Sequence, residues 1–367
     1  MKASPRFLPK RTDGVLAEVT GRTIGARALL TPGPNPRTFN EIVVGVMGRA
    51  LEVSPLELCA CVWTSNHYHL LVVVHEQQEL SRFMQHLACN VSKEIGRMRD
   101  WSGSLWARRY DAIVVSDEPD IQWNRLKYLL SHGVKEGLCE SPLEWPGVHA
   151  AKALVHGEPL EGFWFNRTKE WAARNRGLEF GYYDFATKYR VGFSPLPAFR
   201  DLPPEEYRQR VADLIGEIED EGRRKREERE DDTVAGVEAV LSQNPYQPPT
   251  RQAKRSARPV FHFQSKEAKE SLWGELKAFM EEYRFAADAL QSGRQEAIDW
   301  FPEGSYRPQL PFLGAPPPRR PPSPPTRPLE IEETKEEKRV KRVVGRGAIP
   351  VVEVGGTVWS GCPDHPT

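Results

Sequence analysis

The chain has 367 residues, 39% hydrophobic and 28% charged, with 51 basic and 51 acidic side chains in formal balance. That length suits two modest domains or one domain with long appendages. No run of 18 apolar residues offers a membrane span, and the zero net charge removes the simplest argument for a nucleic-acid partner. Five cysteines (Cys59, Cys61, Cys89, Cys139 and Cys362) are odd in number and lack a repeated C-x-x-C spacing, which argues against a disulfide framework or a structural zinc knot. The start, MKASPRFLPKRTDG, lacks the apolar run of a signal peptide. A cytoplasmic location is the resulting expectation.

Residues 15–20 (VLAEVT) and 26–30 (ARALL) read as one or two strands. Residues 40–50 (NEIVVGVMGRA) follow as a helix. The runs 57–63 (ELCACVW) and 68–74 (YHLLVVV) are rich in branched and aromatic side chains, with TSNH between them as a turn. Residues 79–98 carry helical periodicity, with Leu80, Phe83, Met84, Leu87, Val91 and Ile95 along one side. A further strand covers 111–116. Ser116 or Asp117 then caps a helix with Pro119 and Asp120 in its first turn, and Gly133 supplies the stop. This order predicts an α+β fold in which helices pack on one face of an antiparallel sheet.

Beyond residue 150 the signals weaken. An accessory mixed region is expected over 151–218, a charged and proline-containing linker over 219–260, and a helical segment over 261–314. In the last, Leu272, Leu276, Phe279, Tyr283 and Ala286 form an apolar spine. Residues 219–232 hold eight acids and five bases with no apolar side chain, so they make a solvated helix or a linker. Residues 302–328 contain 11 of the 32 prolines, and 315–367 read as a low-complexity tail.

The densest chemistry is SNHYHLLVV. Alternation along a strand puts His67 and His69 on one face and turns Tyr68, Leu70 and Val72 to the other. Two imidazoles so placed can converge on a divalent metal, although an H-x-H pair is also compatible with two surface histidines. Tyr128 and His132 lie four apart, one turn along a helix face, so His132 can supply a third nitrogen and Tyr128 a phenol oxygen. Zinc is the inorganic default for three histidines, whereas a phosphodiester substrate favours Mg2+ or Mn2+, of which manganese tolerates imidazole better. Such a site suits phosphoryl transfer: a metal orients the phosphate and a tyrosine oxygen attacks it in line.

The string Ser65-Asn66-His67-Tyr68-His69-Leu70-Leu71-Val72 resembles the histidine–hydrophobic–histidine motif of single-tyrosine transposases of the IS200-like type, particularly those associated with repetitive extragenic palindromes. Trp106-Ala107-Arg108-Arg109-Tyr110, residues 128–138 (YLLSHGVKEGL) and Ser141-Pro142-Leu143-Glu144-Trp145-Pro146-Gly147 are also similar. The resemblance spans about residues 15–150. It implies a ferredoxin-like catalytic domain over 1–150, His67 and His69 as metal ligands, and Tyr128 as nucleophile. It further implies hairpin-bearing single-stranded DNA as substrate, Mg2+ or Mn2+ as cofactor, and a homodimer. The family usually shows Asn or Gln where this chain has His132.

Around this constellation Arg108, Arg109 and Tyr110 suit phosphate contact and base stacking, or an ordinary surface with Trp106 packed beneath it. Arg125 and Lys127 flank Tyr128, Lys135 follows the same helix, and Arg22 faces the same groove; each is a candidate DNA contact. Asn66 suits a role in fixing the turn, and His75, His86, His149 and His156 read as satisfied or surface side chains. Cys59 and Cys61 read as buried thiols. A hairpin-binding protein that no longer transposes and a zinc hydrolase built on the three histidines are the alternatives.

Overall fold

The computed structural model describes residues 7–228, 233–249, 259–303, 305 and 349–356. The elements run β1 (Val15–Arg22), α1 (Pro36–Val53), β2 (Glu57–Trp63), β3 (His67–Val74), α2 (Gln77–Arg99), β4 (Asp111–Val115), α3 (Pro119–Leu130), α4 (Ala151–His156), β5 (Leu160–Phe165) and α5 (Arg167–Asn175). They continue with β6 (Ala186–Gly192), α6 (Pro204–Glu227), α7 (Gly236–Leu241), β7 (Phe261–His262), α8 (Lys266–Gln291) and β8 (Val351–Gly355). No described helix is long and apolar enough to cross a membrane. The fold is mixed α+β, with a largely helical region after residue 200.

Two compact units divide the chain. The larger comprises residues 8–165, 187–276 and 350–367. It holds a five-stranded sheet in the order β2-β3-β1-β4-β7. The strand β1 runs antiparallel to both β3 and β4, while β7 adds in parallel to β4. A second sheet has the order β5-β6-β8. Its strand β8 lies inside the expected low-complexity tail and pairs in parallel with β6; residues 315–348 and 357–367 of that tail, Cys362 included, lie outside the described residues.

The helix α1 begins four residues before the expected start because Asn35 Oδ1 accepts from Thr38 N and Pro36 occupies the first turn. Residues 26–30 are not a strand. Gly25 and Ala26 take positive φ (59° and 52°) in a short 3-10 turn, and Leu29 and Leu30 are buried as a loop. Neither Ser116 nor Asp117 caps α3; Glu118 holds that position.

Helices do not all lie on one face of the main sheet, which corrects the expectation. Tyr68 contacts Trp106, whose Nε1 donates to the Ala88 carbonyl on α2, and α1 packs against α2. The opposite side of β3 carries His69, which meets Tyr128 of α3. Every residue of β3 after His67 is buried. A strand apolar on both sides needs cover on both, and α3 supplies the second with Leu126, Leu129 and Leu130, all fully buried. Each contributes roughly 1.5–3 kcal/mol relative to exposure. In β2 a bulge between Leu58 and Ala60 breaks the period of two across Cys59. Cys59 and Cys61 are both buried free thiols.

The smaller unit comprises residues 1–7, 166–186 and 277–349. Asn166 Oδ1 caps α5 by accepting from Lys169 N. Aromatic pairs occur in the unit: Phe180 with Phe185, Tyr283 with the buried Phe301, and the exposed Phe285 stacked on Trp300.

Candidate metal and nucleophile site

His67 opens β3 after the turn that holds Thr64 and Asn66. Its Nδ1 lies 2.6 Å from Asn66 Oδ1 and 2.8 Å from Thr64 Oγ1. Asn66 also donates through Nδ2 to the Ala26 carbonyl, so its amide fixes the turn. Two residues on, His69 Nδ1 lies 2.7 Å from Glu18 Oε1. His132 sits two residues past α3, and its Nδ1 lies 2.9 Å from the Leu129 carbonyl. The Leu129 carbonyl and the Glu18 carboxylate can only accept, so the proton of each of those rings belongs on Nδ1; the Asn66 carbonyl oxygen asks the same of His67. All three rings therefore keep their Nε2 lone pairs for a shared partner. The three rings offer ligand atoms within 4.8 Å of one another.

Electrostatics favour the neutral donors. Burial, reinforced by the neighbouring His69, holds His67 well below the usual imidazole range. Burial and then the charges of His69 and Lys135 do the same to His132. Neutral imidazoles are the form that ligates metal.

Gly133 makes the turn after α3 possible. Its φ is 93°, its N–H donates to Glu136 Oε2, and a Cβ there would meet Cys139 Sγ at 2.7 Å. The turn folds His132 back beside Tyr128, with ring centroids 5.2 Å apart; His69 lies 5.8 Å from the same phenol ring. Tyr128 is 41% exposed, so the ring is open to a substrate while its neighbours are not. Arg125 lies over one part of that ring at 4.1 Å, and Lys135 Nζ at 3.6 Å. Burial, and next the charge of Glu18, push the Tyr128 phenol up from its ordinary value, while Arg125 pulls it down. Burial brings the Lys135 ammonium down to about 8. Lys135 Nζ also sits 3.0 Å from His132 Nε2, where that nitrogen holds its lone pair.

The remaining sequence candidates are scattered around this centre. Arg22 lies opposite His67 in the β1–β3 register, and both line a groove of about 750 Å³. Arg125 turns inward to Glu18 at 2.5 Å. Lys127 is held by Glu217 and Glu221 of α6 at 3.0 and 2.6 Å. Arg108 pairs with Asp111 at 2.7 Å, and Arg109 lies over the Tyr110 ring at 5.7 Å. His149 is buried, and its Nδ1 accepts from Ala151 N.

Glu18 and His262 escape a reading of motifs. Glu18 is 2% exposed. The burial of its carboxyl raises its pKa, but contacts from His262, His69 and Arg125 outweigh that and keep it ionised far below the usual carboxylate range. The available signal was register: Thr20 faces His69 across β1 and β3, and Glu18, two residues earlier, shares that face. His262 had no such signal, since β7 is two residues long and far along the chain.

Three histidines that could hold a metal ion thus cluster beside a helix-borne tyrosine, and one family model matches the chain around them. Residues 39–128 match the family model described as "Transposase IS200 like". The match covers 90 of the 367 residues, and that segment is similar to the IS200-like transposases. The match includes His67 and His69 and ends on Tyr128, so His132, Glu18 and His262 lie beyond it. The chain is similar to a REP-associated tyrosine transposase solved with a REP hairpin, at 18% identity and a TM-score of 0.33, covering 42% of this chain and 86% of that one. It is also similar to a Deinococcus radiodurans R1 protein described as a transposase, at 17% identity and a TM-score of 0.24, covering 34% of this chain and 95% of that one. No curated protein matches.

Proposed function

We propose that this protein is a DNA transposase that cleaves and rejoins hairpin-bearing single-stranded DNA through a covalent bond to Tyr128. The observation that carries it is the packing of the Tyr128 ring against His69 and His132, two of three imidazoles that offer ligand atoms within 4.8 Å of one another. The sheet order β2-β3-β1-β4, with β1 antiparallel to both neighbours, supports a ferredoxin-like arrangement for the part that bears them.

In the cleavage step the Tyr128 oxygen forms a bond to phosphorus while the bond from phosphorus to a sugar oxygen breaks. The phenol proton is lost and the leaving sugar oxygen gains one. Phosphodiester energy is conserved in the phosphotyrosyl bond, so attack by another strand end reverses the step and joins DNA. Arg125 and Lys135, on the phenol ring, stabilise negative charge developing on its oxygen. The residues that would hold a metal are His67, His69 and His132; a bound ion would orient the phosphate and draw charge from its oxygens. An all-imidazole donor set fits Mn2+ better than Mg2+. Arg22, Arg108, Arg109 and Tyr110 are the proposed strand contacts, with Lys127 supporting the helix beside them. The proposal includes a homodimer, which sedimentation velocity checks.

Labelled hairpin DNA incubated with the full chain and Mn2+ or Mg2+, then run under denaturing conditions, tests the reading. A protein–DNA adduct is expected, and it should vanish in Tyr128→Phe. Tight binding without an adduct in either metal would mark a non-transposing hairpin-binding protein. Turnover that survives loss of Tyr128 would instead indicate a hydrolase on the three histidines.

A further inference from the structure

The segment carrying β7 lies more than 130 residues past the end of the transposase match, yet it reaches the innermost layer of the site. His262 Nε2 approaches Glu18 Oε2 to 3.1 Å, a close polar contact without the alignment of a full hydrogen bond. The same carboxylate receives Arg125 Nη2 and faces His69 Nδ1 through its other oxygen. Side-chain exposure is 3% for Glu18, 10% for His69, 15% for Arg125 and 13% for His262. A carboxylate so deeply placed is strongly unfavourable unless paired, and here three side chains from three distant parts of the sequence surround it.

The placement of His262 is fixed several times over. Val114 and Val115 pair with Phe261 and His262, and Ser116 N donates to the His262 carbonyl. Phe261 is buried and meets Trp273 edge-on. Glu118 accepts from the backbone N–H groups of Gln264 and Ser265 at 2.8 and 2.7 Å.

From this arrangement we infer that Glu18 is a positioning residue for His69, and that His262, supplied by the chain beyond the transposase segment, helps to hold it in place. Glu18 fixes the proton of His69 on Nδ1 and sets the ring so that Nε2 faces the other two histidines. Partners of this kind behind a metal-binding histidine commonly govern affinity by 10- to 100-fold. The region after residue 150 is thereby part of the site's construction, beyond any role in contacting DNA. This inference rests on the proposed function insofar as His69 is read as a metal ligand.

Two measurements on the full chain test it. The first needs no metal: long-range 1H–15N NMR of the histidine rings reports which nitrogen carries the proton. His69 should be the Nδ1–H form in the native protein and a mixture of forms in Glu18→Ala. The second is a Co2+ titration followed by visible absorption. The dissociation constant should rise by about 10- to 100-fold in Glu18→Gln and by a smaller factor, several-fold, in His262→Ala, where Arg125 still holds the carboxylate. If Glu18→Ala does not fold, the near-isosteric Glu18→Gln and the remote His262→Ala carry the test alone. An unchanged tautomer together with Co2+ affinity within twofold of the native protein in these variants overturns the inference while leaving the metal reading intact. A native protein with the Nδ1–H tautomer that fails to bind Co2+ overturns the metal reading, and with it the functional role assigned to Glu18.

Discussion

Lys135 stands where cation chemistry is most exposed to test. Its Nζ touches the lone pair of His132 and lies over the Tyr128 ring, so it competes with an incoming divalent ion by occupancy and by repulsion. Lys135→Ala should tighten Mn2+ binding by about 3- to 10-fold, at a repulsion of roughly 1 kcal/mol in a partly solvated site, as read by calorimetry. The same change should weaken formation of the tyrosyl adduct, because a charge that stabilises the developing phenolate is gone. Unchanged Mn2+ affinity would remove Lys135 from the centre. At this scale the sequence was informative for side chains linked by short spacing: His67 with His69, and Tyr128 with His132. For Glu18 it offered only a place on an alternating strand face, because the role depends on His69, Arg125 and His262 arriving from separate elements. A carboxylate within an alternating strand carries no mark that distinguishes a solvated face from a buried ion cluster.

The elements that build the site depend on two junctions. At the end of α3, Gly133→Ala forces a side chain into positive φ and against Cys139 and Trp145. The backbone strain alone costs about 1–3 kcal/mol, so the urea midpoint should fall, with His132 displaced from the cluster and metal affinity reduced along with it. At the start of α3, Glu118 joins that helix to the segment of β7 and α8. Burial raises its carboxyl, but hydrogen bonds from Ser116 and from the Gln264 and Ser265 amides bring it down to about 2. A depressed carboxylate contributes stability that is present above its unfolded value, near 4.5, and is lost as pH falls toward 2. Hydrogen exchange at the Gln264 and Ser265 amides should therefore accelerate relative to intrinsic rates as pH falls from about 4.5 to 2, and Glu118→Gln should flatten that dependence. The strands β1 to β4 and helices α1 to α3 were visible in the sequence because their apolar periods are local. The cover on both faces was missed, since helices were expected on one face only, although the unbroken run LLVVV is the pattern of a strand covered on both sides. Strands β7 and β8 were not visible, since two and five residues paired at long range leave no period to read.

For the molecule as a whole, the charge balance narrows how DNA is held. Residues 1–150 contain 17 basic and 16 acidic side chains, a net charge of +1, so the transposase part has no excess to spend on a diffuse positive surface. Three of its six candidate DNA-contact cations are already held by carboxylates at 3.0 Å or less, Arg108 by Asp111, Arg125 by Glu18 and Lys127 by Glu217 and Glu221, whereas Lys135 lies a looser 3.9 Å from Glu136. An arginine or lysine that exchanges a carboxylate for a phosphate gains little and releases few counterions on balance. Arg22, Arg109 and Lys135 then remain as the main electrostatic contacts, or roughly three phosphates. For a single strand that corresponds to a slope of about −2 in log K against log salt, from the −0.7 expected per neutralised phosphate. Full use of all six cations would give about −4 on the same basis. Fluorescence anisotropy of an unpaired oligonucleotide between 50 and 300 mM salt, roughly the range in which such slopes are read, separates the two values. A slope near −2 that is unchanged in Lys127→Met would place that lysine with α6, and a slope near −4 would show that the ion pairs open to receive DNA.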